Sequence, residues 1–600
     1  MQLLKKHIPI SFGLAHFSLA LVGLMWFLPF LYYRHNYPLS TFYQEWGAGL
    51  LGLGACSFML TQRYWQAPEV PRIVLLPIGL LLLLTIQFFL GRVTHFDQIM
   101  LLSLYFLFAA LMIMLGRALR FELGLPAMVI VLAMFLLLGA ELNTLSGILQ
   151  YYRWSTFLNP FIFTKNSSVV CGNIAQPNHY ANYLALGLIS LGLLYLRLSM
   201  RIWLVALFAA PMLFVMVLSA SKSSLLYLLF AAGLAFLWQR RDKALRPVMY
   251  YSLALLVGFS LMHFVVKIPW LAGATANVTP VERLFNTASG VIRLHLWREA
   301  VHILGHFPLL GAGFGQFANQ HLHLAMEMRY PNTSGLYTNA HNLVMQLAAE
   351  TGLPGVAILL GTLGLCFWRS ILRGAQYTLD HWWGYAILSV LGIHSLLEYP
   401  LWYSFFLGMA AVTLGMLDTT FYSLNLRNLG RASLAIILVL GVVYLLQVFN
   451  GYQRLEKALM LHVVAAKEHS EIPHARVLEE LMAVYKSPLL SSYAELFIAN
   501  TMEISADHLE QKLGLNERAM QFIPIAPVVY HQAFLLALSD KPEMAKIQIE
   551  QAIWAYPKNY PKALLELEDL ARQDPARFSA LLEFATNKIK EYRHAAIPKQ

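Results

Sequence analysis

Six hundred residues that are 58% hydrophobic and only 12% charged, with a mean hydropathy of +0.56, exclude an ordinary soluble globular chain, in which roughly a quarter of residues are charged. The net charge of +11 is spread thinly between apolar runs and forms no stripe, so positive-inside membrane topology explains it better than a nucleic-acid surface. Cys56, Cys171 and Cys366 stand far apart, and no disulfide framework is expected.

In chain order, Lys5 and Lys6 precede an apolar run from His7 to Phe30 with no small-residue cleavage site before Tyr32, so the run reads as an uncleaved first span. About thirteen runs approach the ~20 apolar residues a span requires, centred near residues 20, 54, 82, 107, 134, 188, 210, 231, 256, 361, 390, 409 and 440. Alternate loops are basic: Arg63, Arg72, Arg117, Arg120, Arg197, Arg201, Arg240, Arg241, Lys243, Arg246, Arg369, Arg373, Arg427 and Arg431 join Lys5 and Lys6 on one side. The short loops on the other side hold Arg34, Arg92, Arg153, Lys165 and Lys222. Basic residues near span ends stay in the cytoplasm, which predicts a cytoplasmic N-terminus and, with an odd number of spans, an outer C-terminus.

Two outer loops are long, 143–180 and 267–351, and long ordered loops are where function concentrates. Beyond residue 450 the charge density becomes ordinary and helical spacing appears, as in Ala545, Ile549 and Ala552 followed by Pro557 and Pro561. The predicted fold is all-α: a polytopic membrane helical bundle over 1–450 and a soluble helical, repeat-like domain over 451–600, without a clean 34-residue period.

A transporter places ionisable residues inside its spans, and these interiors are nearly free of them, which disfavours a flippase. The polar groups collect instead in outer loops: Glu45, Gln176, Asn178, His179, Lys222, Arg293, His341 and Glu398. No G-x-x-x-x-G-K-[ST] loop is present and no cofactor is expected, so a transfer reaction here needs a donor already activated.

In the segment Tyr337 to Gly355, Asn339 is a suitable N-cap, Leu343 and Leu347 keep helical spacing, and Gly352 with Pro354 supplies a stop. His341 is then predicted in the first turn, where the positive end of the helix attracts phosphate and suits a neutral general base; its plainer reading is a histidine that caps the helix. Arg293 and Trp297 precede Pro308-Leu-Leu-Gly311-Ala-Gly313-Phe-Gly315, whose glycines permit a tight turn and close approach to a ligand. Trp297 reads as an interfacial anchor, and Arg293 alone equally fits a lipid headgroup. Lys222 sits in a very short loop rich in hydroxyls, Ser219 to Ser224, and either meets a phosphate or snorkels to the interface. Gln176, Asn178 and His179 either contact sugar or acceptor backbone or cap the next span, and Glu398 with Tyr403 either positions an acceptor or closes a turn. Among His302, His306, His321, His323 and His341 no H-E-x-x-H or paired cysteine spacing appears, so no metal site is expected.

These segments resemble the superfamily of O-antigen ligases, O-antigen polymerases and PglL-type oligosaccharyltransferases. His341-Asn-Leu, and Arg293 before Trp297 and the glycine turn, match superfamily features. Gly172 to Asn182, His394 to Tyr403, and Pro38 to Trp46 in the first outer loop look like the protein-glycosylating branch. The resemblance implies a multi-pass protein of the bacterial inner membrane with its C-terminal domain in the periplasm. There it would move an oligosaccharide from undecaprenyl pyrophosphate to a serine or threonine of an exported, pilin-like protein, without metal. It further implies that His341 is a base or donor contact and that Arg293 and Lys222 grip the pyrophosphate. Relatives often carry arginine where Lys222 stands. Gln176, Asn178, His179, Glu398, Tyr403 and Glu45 would meet the acceptor or glycan. The partners expected are a lipid-linked donor, an acceptor protein and membrane lipids, with no nucleic acid. The alternatives are an O-antigen ligase or polymerase, whose acceptor is lipid A-core or a glycan, and a scaffold or flippase for lipid-linked glycan.

Overall fold

A computed structural model describes residues 13–61, 63–164, 169–271, 273, 288–330, 335–369, 377–424, 426–468, 472–487 and 489–596. The basic residues Lys5, Lys6, Lys165 and Arg373 lie outside them.

The chain folds as α-helices. The first are α1 (Leu14–Met25), extended by a turn at Leu28–Leu31, α2 (Phe42–Ala55), α3 (Leu75–Phe89), α4 (Phe96–Leu123) and α5 (Leu125–Tyr152). Next come α6 (Pro177–Arg197), α7 (Ile202–Leu218), α8 (Ser223–Arg241) and α9 (Arg246–Val265). The second long loop contributes α10 (Ala288–His306) and α11 (Phe317–Met328), and is followed by α12 (Leu343–Phe367), α13 (Leu379–Ser395), α14 (Ser404–Leu417) and α15 (Arg427–Glu468). The remainder is α16 (Ile472–Tyr485), α17 (Ser491–Thr501), α18 (Leu509–Phe522), α19 (Ala526–Leu538), α20 (Pro542–Ala555), α21 (Tyr560–Gln573) and α22 (Pro575–Ala596). A single antiparallel pair, β1 (Glu69–Pro71) with β2 (Phe421–Ser423), is the only sheet among the described residues.

Helices occupy all the predicted span positions. Nine among the described residues are long and apolar enough to cross a membrane, and α2, α7, α13 and α14 are shorter. Many of their large apolar side chains face outward, such as Leu429, Ile436, Val439 and Leu440 on α15, as a lipid solvent requires.

Contacts divide the chain into two compact units. Unit 1 is Met1–Gly79, Tyr105–Thr287 and Ile358–Leu445; unit 2 is Leu80–Leu104, Ala288–Ala357 and Leu446–Gln600. The residues expected to form a separate tail therefore share a unit with the second long outer loop.

Unit 1 packs α5 against α6 through small residues: a Cβ on Gly187 would meet the Ala140 Cβ, and one on Gly139 would meet the Tyr183 hydroxyl. Membrane helices approach closely in this way because dispersion, with little hydrophobic force, must hold them. Around this seam Phe30 stacks on Tyr183 at 4.0 Å, Tyr183 donates to the Trp26 carbonyl at 2.8 Å, and Trp383 donates to Ser190 Oγ at 3.1 Å. Loops rich in basic residues contact one another: Arg117 bonds Glu69 at 2.7 Å, Arg63 meets Glu122 at 3.1 Å, β1 pairs with β2, Ile73 donates to Asp418, and Arg197 pairs with Asp380.

In unit 2, α16 to α20 pack in succession and α22 packs against both α20 and α21; five of these seven helices begin with proline at their first or second position, where its missing N–H costs nothing. The anticipated stripe Ala545, Ile549 and Ala552 is fully buried on α20. Leu322 of α11 belongs to the same apolar cluster. The head of α17 is capped from afar: Asp97 accepts from the Ser492 amide at 2.8 Å and its hydroxyl at 2.7 Å.

Candidate active site

In unit 1 the polar residues of the outer loops form one connected group. Gln176 caps α6, its side chain accepting from the His179 amide, with Pro177 opening the helix. This is the capping role its position allowed. Asn178, one residue on, donates to Glu398 Oε1 at 2.7 Å and accepts from the Ser221 hydroxyl at 2.8 Å. It thus ties α6 to the turn between α13 and α14 and to the short loop before α8, where Ala220 adopts φ 50° and Lys222 immediately precedes the helix. The imidazole of His179 is buried against His394, Tyr403 and Phe406 at centroid distances of 5.0, 5.2 and 5.3 Å, and Tyr227 hydrogen-bonds His394 Nδ1 at 2.9 Å. Burial, with Tyr399, Glu45 and Glu398 nearby, pushes the Tyr403 phenol far above its ordinary range, so it remains a neutral donor.

Glu45 lies in the first turn of α2. Its carboxylate accepts from Thr41 at 2.9 Å, from the Tyr105 hydroxyl, and from the Ser404 amide at 3.4 Å, while Ser404 Oγ donates to the Glu45 carbonyl at 3.0 Å. Ser404 follows Tyr403, so Glu45 braces the same turn that carries Glu398. Tyr105, Ser221, Tyr227 and His394 were not singled out from the sequence as site residues. Tyr105 and Tyr227 sit in apolar runs where nothing marks them, whereas the hydroxyl-rich loop around Ser221 was visible.

Unit 2 holds the second group. Helix α12 starts at Leu343, three residues later than expected, because Asn342 is the cap: its Oδ1 accepts from the amides of Val344 at 3.0 Å and Met345 at 3.2 Å. Asn339 is not the cap, and His341 precedes the helix in the left-handed region at φ 51°. The first-turn amides expected to attract phosphate are spent on Asn342. His341 is instead held from both sides by fixed neighbours. The Ala340 amide donates to Gln346 Oε1 at 2.6 Å, and the Ala340 carbonyl accepts from Trp297 Nε1 at 3.0 Å. Trp297 is therefore a brace for the His341 segment, correcting its reading as an interfacial anchor. Arg293 lies one turn earlier on the same helix, α10, and so shares its face.

The glycine turn also has a different purpose from the one predicted. Gly311, Gly313 and Gly315 all have positive φ, but their bare faces approach the chain itself: a Cβ on Gly311 would sit 2.2 Å from the Glu350 backbone. The break in α12 at Gly352 (φ 68°) frees carbonyls that the turn takes up, Ala312 donating to Ala349 at 2.9 Å and Gly313 to Glu350 at 3.1 Å. Gln87 locks this knot. Its amide donates to the Leu310 and Glu350 carbonyls at 2.6 and 2.7 Å and accepts from the Phe314 amide at 3.1 Å.

The histidines separate. His302 meets His306 at 3.1 Å, His321 pairs with Glu299, and His323 turns to Gln551 at 3.0 Å, with burial pushing the His323 imidazole down. No group of three potential ligands for a metal exists among the described residues.

Comparison with known proteins gives these two groups a context. A family model described as O-Antigen ligase matches residues 207–360, which include Lys222, Arg293 and His341. One described as Protein glycosylation ligase matches 170–195, with Gln176, Asn178 and His179, and one described as the C-terminal part of a virulence factor membrane-bound polymerase matches 382–566, with Glu398 and Tyr403. The chain is 26% identical over 455 residues to a general O-oligosaccharyltransferase of Acinetobacter baylyi, covering 74% of this chain and 76% of that one. These matches support a PglL-type O-oligosaccharyltransferase. This enzyme is also 23% identical over 273 residues to a ComP-specific O-oligosaccharyltransferase of the same organism, covering 45% of this chain and 47% of the relative. It is a multi-pass membrane glycosyl-transferring enzyme. Of the candidate residues only Glu45 falls outside every matched segment.

Proposed function

We propose that the enzyme transfers an oligosaccharide from undecaprenyl pyrophosphate to a serine or threonine hydroxyl of an exported, pilin-like protein at the periplasmic face of the inner membrane. In this reading the acceptor oxygen attacks the anomeric carbon, the bond from that carbon to the pyrophosphate oxygen breaks, and the lipid pyrophosphate leaves. His341 takes the hydroxyl proton, and Arg293 and Lys222 balance the charge that develops on the leaving group. Gln176, Asn178 and Glu45 build the loops through which His179, Glu398 and Tyr403 meet acceptor or glycan. The N-terminus is cytoplasmic, residues 1–450 form the transferase region, and 451–600 form a periplasmic helical domain.

The observation that carries this reading is the bond from Trp297 to the carbonyl preceding His341, because it fixes the histidine backbone from the helix that bears Arg293. A cation and an imidazole set by one helix suit a pre-organised anionic donor. His341→Ala is expected to abolish acceptor glycosylation in cells that make donor and acceptor, with membrane abundance unchanged. Undiminished glycosylation would remove His341 from the mechanism.

A second reading, with a glycan or lipid A-core as acceptor, draws support from the ligase and polymerase descriptions of two matched segments. Deleting the gene separates them: lost pilin glycosylation with an intact lipopolysaccharide ladder supports the first, and the reverse supports the second.

A further inference from the structure

The segment bearing His341 has a second anchorage, at its beginning, made by a residue to which the proposed mechanism gives no role. His321 on α11 is buried, with Nδ1 2.8 Å from Glu299 Oε2 and Nε2 3.1 Å from the Gly335 carbonyl. The Gly335 carbonyl can only accept, so His321 Nε2 donates to it. Glu299 on α10 is 1% exposed and also meets His295 Nε2 at 3.0 Å. Burial opposes its charge, yet the hydrogen bonds from His295 and His321, with their Coulomb attraction, outweigh that and hold the carboxyl below its ordinary range.

The Gly335 amide in turn donates to the carbonyl of Ala555, the last residue of α20, at 2.8 Å, and the Tyr337 ring lies edge-on to His321 at 5.3 Å. From Gly335 to Asn342 the chain has no regular structure. His321 and Ala555 hold Gly335, Trp297 and Gln346 hold Ala340, and the cap holds Asn342. Helix α11 reaches α20 by other routes as well, since Gln551 donates to the Leu322 carbonyl at 3.3 Å and Arg329 pairs with Glu550 at 3.4 Å.

We propose that His321 is a positioning residue: its ring, paired with Glu299, fastens Gly335 against α20 and so sets the segment that presents His341, making the C-terminal helices part of what holds the active-site backbone. The consequence for transfer rests on the role of His341 proposed above; the fastening itself does not. Charged and titratable groups around His321 are Glu299 and His295 on α10, Tyr337 on the segment, and Tyr330 just past α11, its ring 3.9 Å from His295. Arg329 lies over Trp554 and is held by Glu550 and Glu591, which Lys588 also neutralises.

The test uses the full-length protein in lipid nanodiscs and reads amide hydrogen exchange, as protection factors, in peptides spanning 335–346. His321→Ala is expected to lower protection there about tenfold, the value of one hydrogen bond to a charged group, with peptides of α5 and α6 unchanged. His321→Gln offers two amide donors in its place and should retain native protection. Native protection in His321→Ala, or a loss in His321→Gln as large as in His321→Ala, would overturn the proposal. If His321→Ala does not accumulate, protection in His321→Gln and in a donor-less His321→Leu, each compared with the native chain, decides. Glycan transfer in the cells used for His341→Ala separates the two claims: altered protection without transferase activity in the native protein sinks the function and keeps the fastening. Native-like protection alongside active transfer does the opposite.

Discussion

The polar groups of the two candidate sites are satisfied in different ways. In the unit 1 site several side chains bond other side chains across long sequence distances, Asn178 to Glu398 and to Ser221, Tyr105 to Glu45, Tyr227 to His394. In unit 2 the bonds that matter run from side chain to main chain: Trp297 to Ala340, His321 to Gly335, and Gln87 to Leu310, Glu350 and Phe314. The cause is the state of the backbone. Where it is helical through a span it satisfies itself, and the side chains at the helix ends must find one another. Where it is irregular, as in 335–342 and 308–316, its own amides and carbonyls need partners, and side chains are spent on them. The unit 1 site therefore depends on side-chain pairs, and the unit 2 site on single residues that hold backbone groups, three of them in the case of Gln87.

That contrast fails first if Gln87 is dispensable. Gln87→Leu leaves the Leu310 carbonyl and the Phe314 amide without their partner and removes a second donor from the Glu350 carbonyl. Each buried backbone group left unmade costs about 1–3 kcal/mol, and two at once in one knot should bring unit 2 near its unfolding threshold. We expect a large fall in thermal stability by fluorescence in detergent and rapid proteolysis between residues 300 and 355. Native melting behaviour would show that the knot holds without it.

An intermediate effect is expected in unit 1. Asn178→Ala removes the donor to a carboxylate that is 5% exposed, worth about 1.5–3 kcal/mol for a bond to a charged group. Asn178→Asp should be worse, since it places a second negative charge beside Glu398. If unit 1 relies on pairs, Asn178→Asp combined with Glu398→Gln should recover much of the loss in melting temperature, because the repulsion disappears. Additive losses would mean that the pair is not the unit of stability.

Much of the membrane architecture was legible because it follows from one property, a run of apolar residues near bilayer thickness, and because charge asymmetry sorts the loops. The residues Gln176, Asn178, His179 and Glu398 were legible as a group of polar side chains at the heads of spans. Their partners were not: Tyr105 and Tyr227 are tyrosines in apolar helices, and only the packing of distant helices brings them to Glu45 and His394. The cap of α12 was misplaced by three residues because Asn339 and Asn342 are both good caps. The competing bond from Ala340 to Gln346 decides between them by closing the turn after residue 339. The glycine turn was misassigned because positive φ and close approach look the same in sequence whether the neighbour is a ligand or Gly352 of the same chain. Trp297, His321 and Gln87 escaped for the same reason. A side chain that serves irregular backbone leaves no periodic trace.

The smallest effect is expected at Lys222, where the contrast between the units can be sharpened. Lys222 stands at the head of α8 beside Ser221, whose hydroxyl is engaged by Asn178, so the loop that carries the cation is already fixed by a side-chain pair. A fixed loop with a flexible ammonium offers a point charge, and a guanidinium in its place adds a planar fork that matches two phosphate oxygens. If Lys222 meets the pyrophosphate, Lys222→Arg should keep kcat and lower KM for the lipid-linked donor by roughly two- to threefold, the increment of one modest additional bond. Lys222→Gln should raise KM by about tenfold or more, the charge being the larger part of the interaction. Because Arg293 lies on a helix whose neighbouring Trp297 fixes backbone in unit 2, Arg293→Lys should instead lower kcat. A loss of the fork there weakens charge balance at the moment the leaving group departs. Equal effects of the arginine and lysine exchanges on KM and kcat would show that the two cations do the same work, and that the difference between the units stops short of the chemistry.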